Sequence, residues 1–260
     1  LQNNFKNNNK FFEKMDKNRK NLRNVAAIVA CLAVTVIFAS CKKDTPEPKP
    51  AIFLLEEIQS DDGFRSVLEY DDKDRITKMT NYDNYGLIIG INTVTYNSSG
   101  DLTEAKWEDP ENPAGNKTTF TKNGNQIIFF YADNNSNGKT TCELNDQGLP
   151  VKYTYEPVSG SGYIVTFTWQ NGNCIKQDWE KDGQTYTFDD KKSPFYHCKS
   201  PKWLFYYWEM DYYNVNNIIK TQTSVVGVIN TFEYTYNDDG FPVTRTENGF
   251  TTQTFKYRKK

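Results

Sequence analysis

The chain has one histidine, His197, and five cysteines in 260 residues. One imidazole leaves no paired-histidine metal motif and no recognisable Ser/His/Asp order. A Cys–His dyad of His197 and Cys198 is disfavoured, because neighbours in an extended strand point to opposite faces. The cysteines Cys142, Cys174 and Cys198 match no zinc spacing. Three thiols allow at most one disulfide among them, and the sequence does not choose the pair. A long apolar run is also missing. Val25 to Ser40 is the one stretch that could be taken for a membrane segment, sixteen residues with no charge, and a membrane-spanning helix needs about 20. Nor is there a basic excess. Residues 1–40 hold seven of the 31 Lys/Arg and two of the 33 Asp/Glu, leaving 24 and 31 for residues 41–260, net −7. Phosphate binding rests on Lys and Arg, so a nucleic-acid partner is not expected. No spacing singles out a catalytic carboxylate pair, and no cofactor motif is present. The chain is therefore read as non-enzymatic.

What the N-terminus does contain is ordered. Lys14, Lys17, Arg19, Lys20 and Arg23 precede the apolar run VAAIVACLAVTVIFAS. A basic flank, a short apolar core and a small-residue exit form the secretory pattern, so residues 1–40 are read as a signal peptide. Cys31, inside the core, is an ordinary apolar residue of that signal. The first fourteen residues add nothing a signal needs, and Met15 makes a normal start. The exit Phe38-Ala39-Ser40-Cys41 resembles the lipobox of bacterial lipoproteins. That resemblance implies cleavage before Cys41 and diacylglycerol on its thiol, hence a membrane partner through the N-terminal lipid. Residues 41–50 continue as KKDTPEPKP after the cysteine, a Pro-rich extended tether. Lys42-Lys43-Asp44 faintly resembles a surface-export signal. The expected location is the outer membrane, with the cell-surface or periplasmic face left open.

Residues 51–260 repeat. A bulky residue precedes a turn rich in Asn, Asp and Gly at Tyr70, Tyr96, Phe120, Leu144, Trp169, Phe188, Tyr212 and Tyr236. The separations are 26, 24, 24, 25, 19, 24 and 24 residues. Near-constant spacing points to a repeat architecture. Phe232, Tyr234 and Tyr236 alternate with polar residues, as do Tyr163, Val165, Phe167 and Trp169, so each unit reads as a β-hairpin. Gly100, Gly124, Gly148 and Gly240 lie four residues after a mark, where a turn favours positive φ. Asp74 and Asn216 hold the same place in two further units. No run from Ala51 onward has a helical period. The expectation is an all-β antiparallel meander of about 14–17 strands. Open sheets that wide curl, so it should roll into a barrel or half-barrel with aromatics inside.

The motifs Tyr96-Asn97-x-x-Gly100 and Tyr236-Asn237-x-x-Gly240 resemble the YD repeats of large secreted shell proteins. Together with the lipobox, the tether and the segment Asp189–Phe195 with Asn216-Asn217, they are more similar to Bacteroidetes lipoproteins of unknown function with a porin-like fold. The resemblance covers about residues 50–260 and implies a fold and a location, with no activity and no functional residues. A membrane-spanning barrel is not expected. The face opposite the aromatics is Lys152, Thr154, Glu233 and Thr235, where a lipid-facing wall is apolar.

Two motifs remain. Asp133, Asn135, Asn137 and Gly138 fit the start of a calcium loop, but position 12 is Leu144 rather than Glu, so an Asn/Gly-rich turn is the better reading. Pro201-Lys-Trp203-Leu-Phe-Tyr206-Tyr207-Trp208 interrupts the regular turns. Trp203, Tyr206, Tyr207 and Trp208 either stack on a ligand or plug one end of the core. Trp107, beside an acidic Pro-rich loop, is a lesser candidate. Two functions stand in front: a binding module for a glycan, peptide or other ligand, and a structural subunit contacting an envelope protein.

Overall fold

The computed structural model describes residues 51–132, 137–180, 182–208, 210, 214–225 and 227–260. The signal segment with Cys31, the Cys41 lipid site, the tether, most of the calcium-loop motif and Tyr212 lie outside these residues.

Sixteen strands follow one another: β1 (Phe53–Ser60), β2 (Arg65–Tyr70), β3 (Ile76–Tyr82), β4 (Ile88–Tyr96), β5 (Leu102–Glu108), β6 (Asn116–Asn123), β7 (Gln126–Ala132) and β8 (Asn137–Leu144). Then come β9 (Pro150–Pro157), β10 (Tyr163–Gln170), β11 (Asn173–Trp179), β12 (Asp182–Lys192), β13 (Asn216–Thr223), β14 (Ile229–Tyr236), β15 (Pro242–Glu247) and β16 (Thr251–Lys259). Each pairs antiparallel with its sequence neighbours, and β16 returns to β1 from Phe53↔Lys259 to Ser60↔Gln253. The meander is thus a closed barrel. Closure leaves no strand edge unpaired.

The expected alternation is present. Leu68, Met79, Val94, Ala105, Phe120, Phe129, Tyr153, Val165, Phe167 and Phe232 point inward and are buried. The residues between them form an outer wall of cross-strand ion pairs. These include Lys78–Glu69 at 3.0 Å, Lys117–Glu104 at 2.5 Å, Lys152–Glu143 at 3.3 Å and Lys139–Glu156 at 3.3 Å.

The bulky marks sit at or near the ends of the even strands β2 to β14, directly before the turns into odd strands. After Tyr70, Tyr96, Leu144 and Tyr236 the turn has five residues opened by Asp71, Asn97, Asn145 or Asn237. That side chain accepts the N–H four residues on, at 2.9–3.0 Å. The fourth turn residue has positive φ: Asp74 at 64°, Gly100 at 89°, Gly148 at 74° and Gly240 at 80°. A short Asx side chain thereby does the work of a backbone turn bond. After β10 the turn is Asn171-Gly172, both with positive φ, the two-residue hairpin favoured by Asn-Gly.

The marks also solve a problem that the turns create. The ladder slips at each of these turns, for example between Glu69 and Tyr70 and between Thr95 and Tyr96. A bulge of this kind leaves backbone groups outside the ladder. Aromatic tips from the next even strand reach these places. Tyr70 Oη donates to the Leu55 carbonyl at 2.7 Å, Tyr96 Oη to Ile76 at 3.1 Å and Trp169 Nε1 to Pro150 at 2.6 Å. Tyr234 Oη donates to Ile218 and Tyr257 Oη to Pro242, both at 2.9 Å. Every acceptor lies at a register shift. Burial holds the Tyr96 phenol up at about 12, so it remains a donor at any physiological pH. The repeat of aromatics is therefore a belt of hydrogen bonds as well as a core.

Two sequence expectations are corrected. The unit counted at Tyr212 is not a hairpin, because residues 193–215 form one long insertion between β12 and β13. Asn216 is accordingly the first residue of β13, not a turn residue, and it is absent from the residues with positive φ. The insertion also contains a short helix where no helical period was read, α1 (Lys202–Tyr207). Its sequence KWLFYY has no polar face to set a period, because Trp203, Leu204 and Phe205 are all buried.

Candidate functional site

The turns from even to odd strands gather at one end of the barrel, and the insertion 193–215 starts there. Its chain folds back into the lumen as a plug. Trp203, Leu204 and Phe205 are at most 3% exposed, while Tyr206, Tyr207 and Trp208 are half-buried. The rings pack edge to face on the barrel lining and, for Phe205, on Phe195 of the same insertion. Trp203 meets Phe120 at 4.9 Å, Tyr207 meets Phe129 at 5.4 Å, Tyr206 meets Phe167 at 4.8 Å and Phe205 meets Phe195 at 4.8 Å. Tyr153 Oη donates to the Trp203 carbonyl at 3.1 Å, and Tyr207 Oη is paired with Thr118 Oγ1 at 2.8 Å. Of the two sequence readings of this segment, the core plug describes its placement. Trp203 presents no free face on which a ligand could stack. Trp107 also faces inward, over Gly90, where an added Cβ would stand 1.9 Å from the indole.

Both ends of the plug are fastened by one polar cluster that sequence reasoning did not assemble. Asn173 Oδ1 accepts the N–H groups of Val215 and Asn216, both at 3.0 Å. Asn214 Oδ1 accepts the Cys174 N–H at 2.7 Å, and Ser193 Oγ donates to the Asn214 carbonyl at 2.5 Å. Asp189 accepts the backbone and side-chain N–H groups of Asn217 at 3.0 and 3.1 Å, and also the Tyr236 hydroxyl. The available signal was the density of Asn around 214–217. Its partners, 21 to 43 residues away, are set only by the fold.

The sole histidine serves the same end. His197 Nδ1 accepts the Phe53 N–H at 2.9 Å, tying the plug to the first residue of β1. This engages the imidazole with backbone rather than with Cys198, whose Sγ accepts the Ser200 N–H at 3.5 Å. Burial, then the charges of Lys192 and Lys199, lower the His197 pKa below the ordinary imidazole value. The sign follows from linkage. The unfolded chain binds the proton at a pH where the folded chain does not, so stability falls as pH drops through about 6.5, the unperturbed value. Thermal melts across pH 7.5 to 5 should show this decline, and His197→Phe should remove most of it. An unchanged slope in the variant would mean that other groups carry it.

Cys142, Cys174 and Cys198 are all buried, and with Cys142 and Cys198 as free thiols no two of the three are joined. Burial pushes the Cys142 thiol up to about 12 and raises Cys198 as well. Such thiols are poor nucleophiles.

The opposite end, where odd strands turn into even ones, differs in character. Sixteen large hydrophobic residues are exposed among the described residues, and fourteen of them lie at this end. Tyr85, Val158 and Phe250 are 82–85% exposed on three different loops. Phe64 and Val225 stand on two more, and Trp179 closes β11 at the same end. The plug end holds only Tyr196 and Val243 of the sixteen. The described loop residues of this apolar rim include Asp61, Asp62, Asp83, Asp109, Glu111 and Glu180, with no Lys or Arg among them. Sequence reasoning missed the rim, because its members are scattered one or two per loop over some 190 residues and only closure gathers them.

No protein-family model matches the chain, and no curated protein matches it. Among solved structures, a porin-like protein from Bacteroides uniformis ATCC 8492 superposes with a TM-score of 0.53 at 15% identity, covering 81% of this chain and 99% of that one. A TcdB2–TccC3–Cdc42 structure aligns over 81% of this chain and 11% of that one, also at 15% identity, with a TM-score of only 0.28. The likeness to the first is one of fold: this chain is an all-β, porin-like barrel of sixteen antiparallel strands.

Proposed function

We propose that this chain is a lipid-anchored protein of the bacterial outer membrane whose barrel is a non-catalytic binding module, and that it takes a protein partner at the apolar rim. The observation that carries the reading is the gathering of fourteen of sixteen exposed large hydrophobics at one end. Contiguous apolar surface on a folded protein marks interaction sites, whereas scattered apolar residues do not. The acidic loops around it favour a partner whose contact surface is apolar and basic. The chain enters the barrel beside Lys260, at the plug end, so a tether at residue 51 leaves the rim at the far end from its attachment.

The outer wall supports a domain in water rather than one within a bilayer. A Lys or Arg on a lipid-facing wall costs about 2–4 kcal/mol at the midplane, and this wall is belted with Lys–Glu pairs. The engaged histidine and the buried thiols support the non-catalytic reading.

The test places a photo-crosslinking residue at Tyr85 or Phe250 in living cells, with Thr95 on the side wall as control. A discrete protein adduct from the two rim positions, absent at Thr95, is the expected result. Equal adducts at all three positions, or none, would sink the proposal. An adduct that a glycosidase shifts would turn it toward a glycan ligand. In the same cells, Cys41→Ser should move the chain from the membrane to the soluble fraction.

A further inference from the structure

The plug end carries a second feature that owes nothing to the rim. Between the turns after β4, β6 and β8 and the plug segment 199–203 lies a groove of about 320 Å³. Its charged lining residues are Asp101, Lys122, Lys199 and Lys202, net +2. This sign opposes that of residues 41–260 as a whole, which are net −7. One of the three ammonium groups is already used, since Lys122 Nζ lies 2.7 Å from Asp101 Oδ1. Lys199 is exposed, with no ion pair among the described residues. Lys202 is half-buried beside Trp203; its ammonium lies 5.7 Å from the centre of the Phe205 ring, and it has neither a carboxylate nor a hydrogen-bond acceptor among the described residues. An ammonium group removed from water without a counter-charge is costly. Burial, together with Lys199, depresses the Lys202 pKa, while Cys198 opposes that.

The groove is held in shape without a ligand. The Lys199 N–H donates to the Asp74 carbonyl at 2.9 Å. Ser200 Oγ accepts the Ile76 N–H at 2.8 Å and is paired with Tyr96 Oη at 3.0 Å. The backbone carrying both lysines is thus pinned to two neighbouring hairpins. Preorganisation of this kind lowers the ordering cost of binding.

We propose that this groove binds an oxyanion, the carboxylate or phosphate of a small ligand, between Lys199 and Lys202. Two lysines lining one cavity, neither with a counter-charge among the described residues, match that chemistry. Carboxylate and phosphate oxygens both accept charge-assisted bonds from Lys. The two sources are separated by experiment.

The full chain is titrated with inorganic phosphate or with D-glucuronate in chloride buffer at constant ionic strength, following the thermal midpoint. A saturable rise with either anion is expected. A rise with phosphate alone would assign a phosphorylated ligand, and one with glucuronate alone an acidic sugar. Lys202→Met keeps the apolar stem and removes the charge. It should weaken the response about tenfold or more, the scale of one charged hydrogen bond, and should raise the midpoint when no anion is present. Lys199→Met, on an exposed side chain, should weaken binding without that rise and serves should the first variant fail to fold. No saturable response to either anion, or an unchanged response in both variants, would overturn the proposal.

Discussion

Trp203→Ala is expected to destabilise the barrel by about 3–5 kcal/mol, the range for deleting a large buried aromatic. The residue is 3% exposed and packs its indole on Phe120. Its carbonyl also receives the Tyr153 hydroxyl. The truncation leaves a void where plug and lining meet, and neither side collapses freely. The lining is fixed by the ladder and the plug by its polar cluster. Trp203→Phe keeps an aromatic ring and should cost much less. Denaturant unfolding followed by circular dichroism checks both variants. Wild-type stability in Trp203→Ala would mean that the plug is not part of the cooperative core, and would reopen the stacking role for this segment.

Asp189→Ala should cost about 2–3 kcal/mol. Its carboxylate accepts from the backbone and side chain of Asn217, which is 2% exposed, and from Tyr236. Hydrogen bonds to charged groups contribute about 1.5–3 kcal/mol, and donors left unsatisfied in a buried place add their own penalty. The neighbour supplies the control. Asp190 has a side chain 86% exposed and only a 3.4 Å pair with Lys191, so Asp190→Ala should stay within about 0.5 kcal/mol of wild type. Limited proteolysis adds a second readout. Loss of the Asp189 contacts should admit cleavage near residues 193–215 before the barrel unfolds. Equal behaviour of the two variants would show that the cluster does not hold the plug.

Much of the architecture was legible because strand signals are local. Tyr96-Asn97-x-x-Gly100 carries its own turn, with an Asx acceptor and a positive-φ residue at fixed spacing. The same holds at Asn145 and Asn237. Alternation in Phe232–Tyr236 identified the inner face without any knowledge of partners. Spacing failed where it met an insertion of nearly the same length as a unit. Tyr212 fell 24 residues after Phe188, yet the chain between them was a plug. Aromatic content could not separate a ring that stacks on a ligand from one that fills a lumen, because both need the same surface. Trp203 was settled by Phe120 and Tyr153, each at least 50 residues away. The rim and the lysine groove were invisible for a related reason. Each draws single residues from several turns, and only a closed barrel brings those turns into one circle.

The pairing of β1 with β16 carries a kinetic consequence. Each hairpin is a short-range event that forms in about 1–10 μs in isolation. The last seam joins residues about 200 positions apart, the slowest kind of contact to find. Until it forms, the growing sheet has two free borders, each a template for a strand from another molecule. A chain lacking β16 would keep those borders permanently, because β15 offers β1 no partner in place. Its characteristic failure would be self-association through open borders, with most hairpins still intact, rather than simple unfolding.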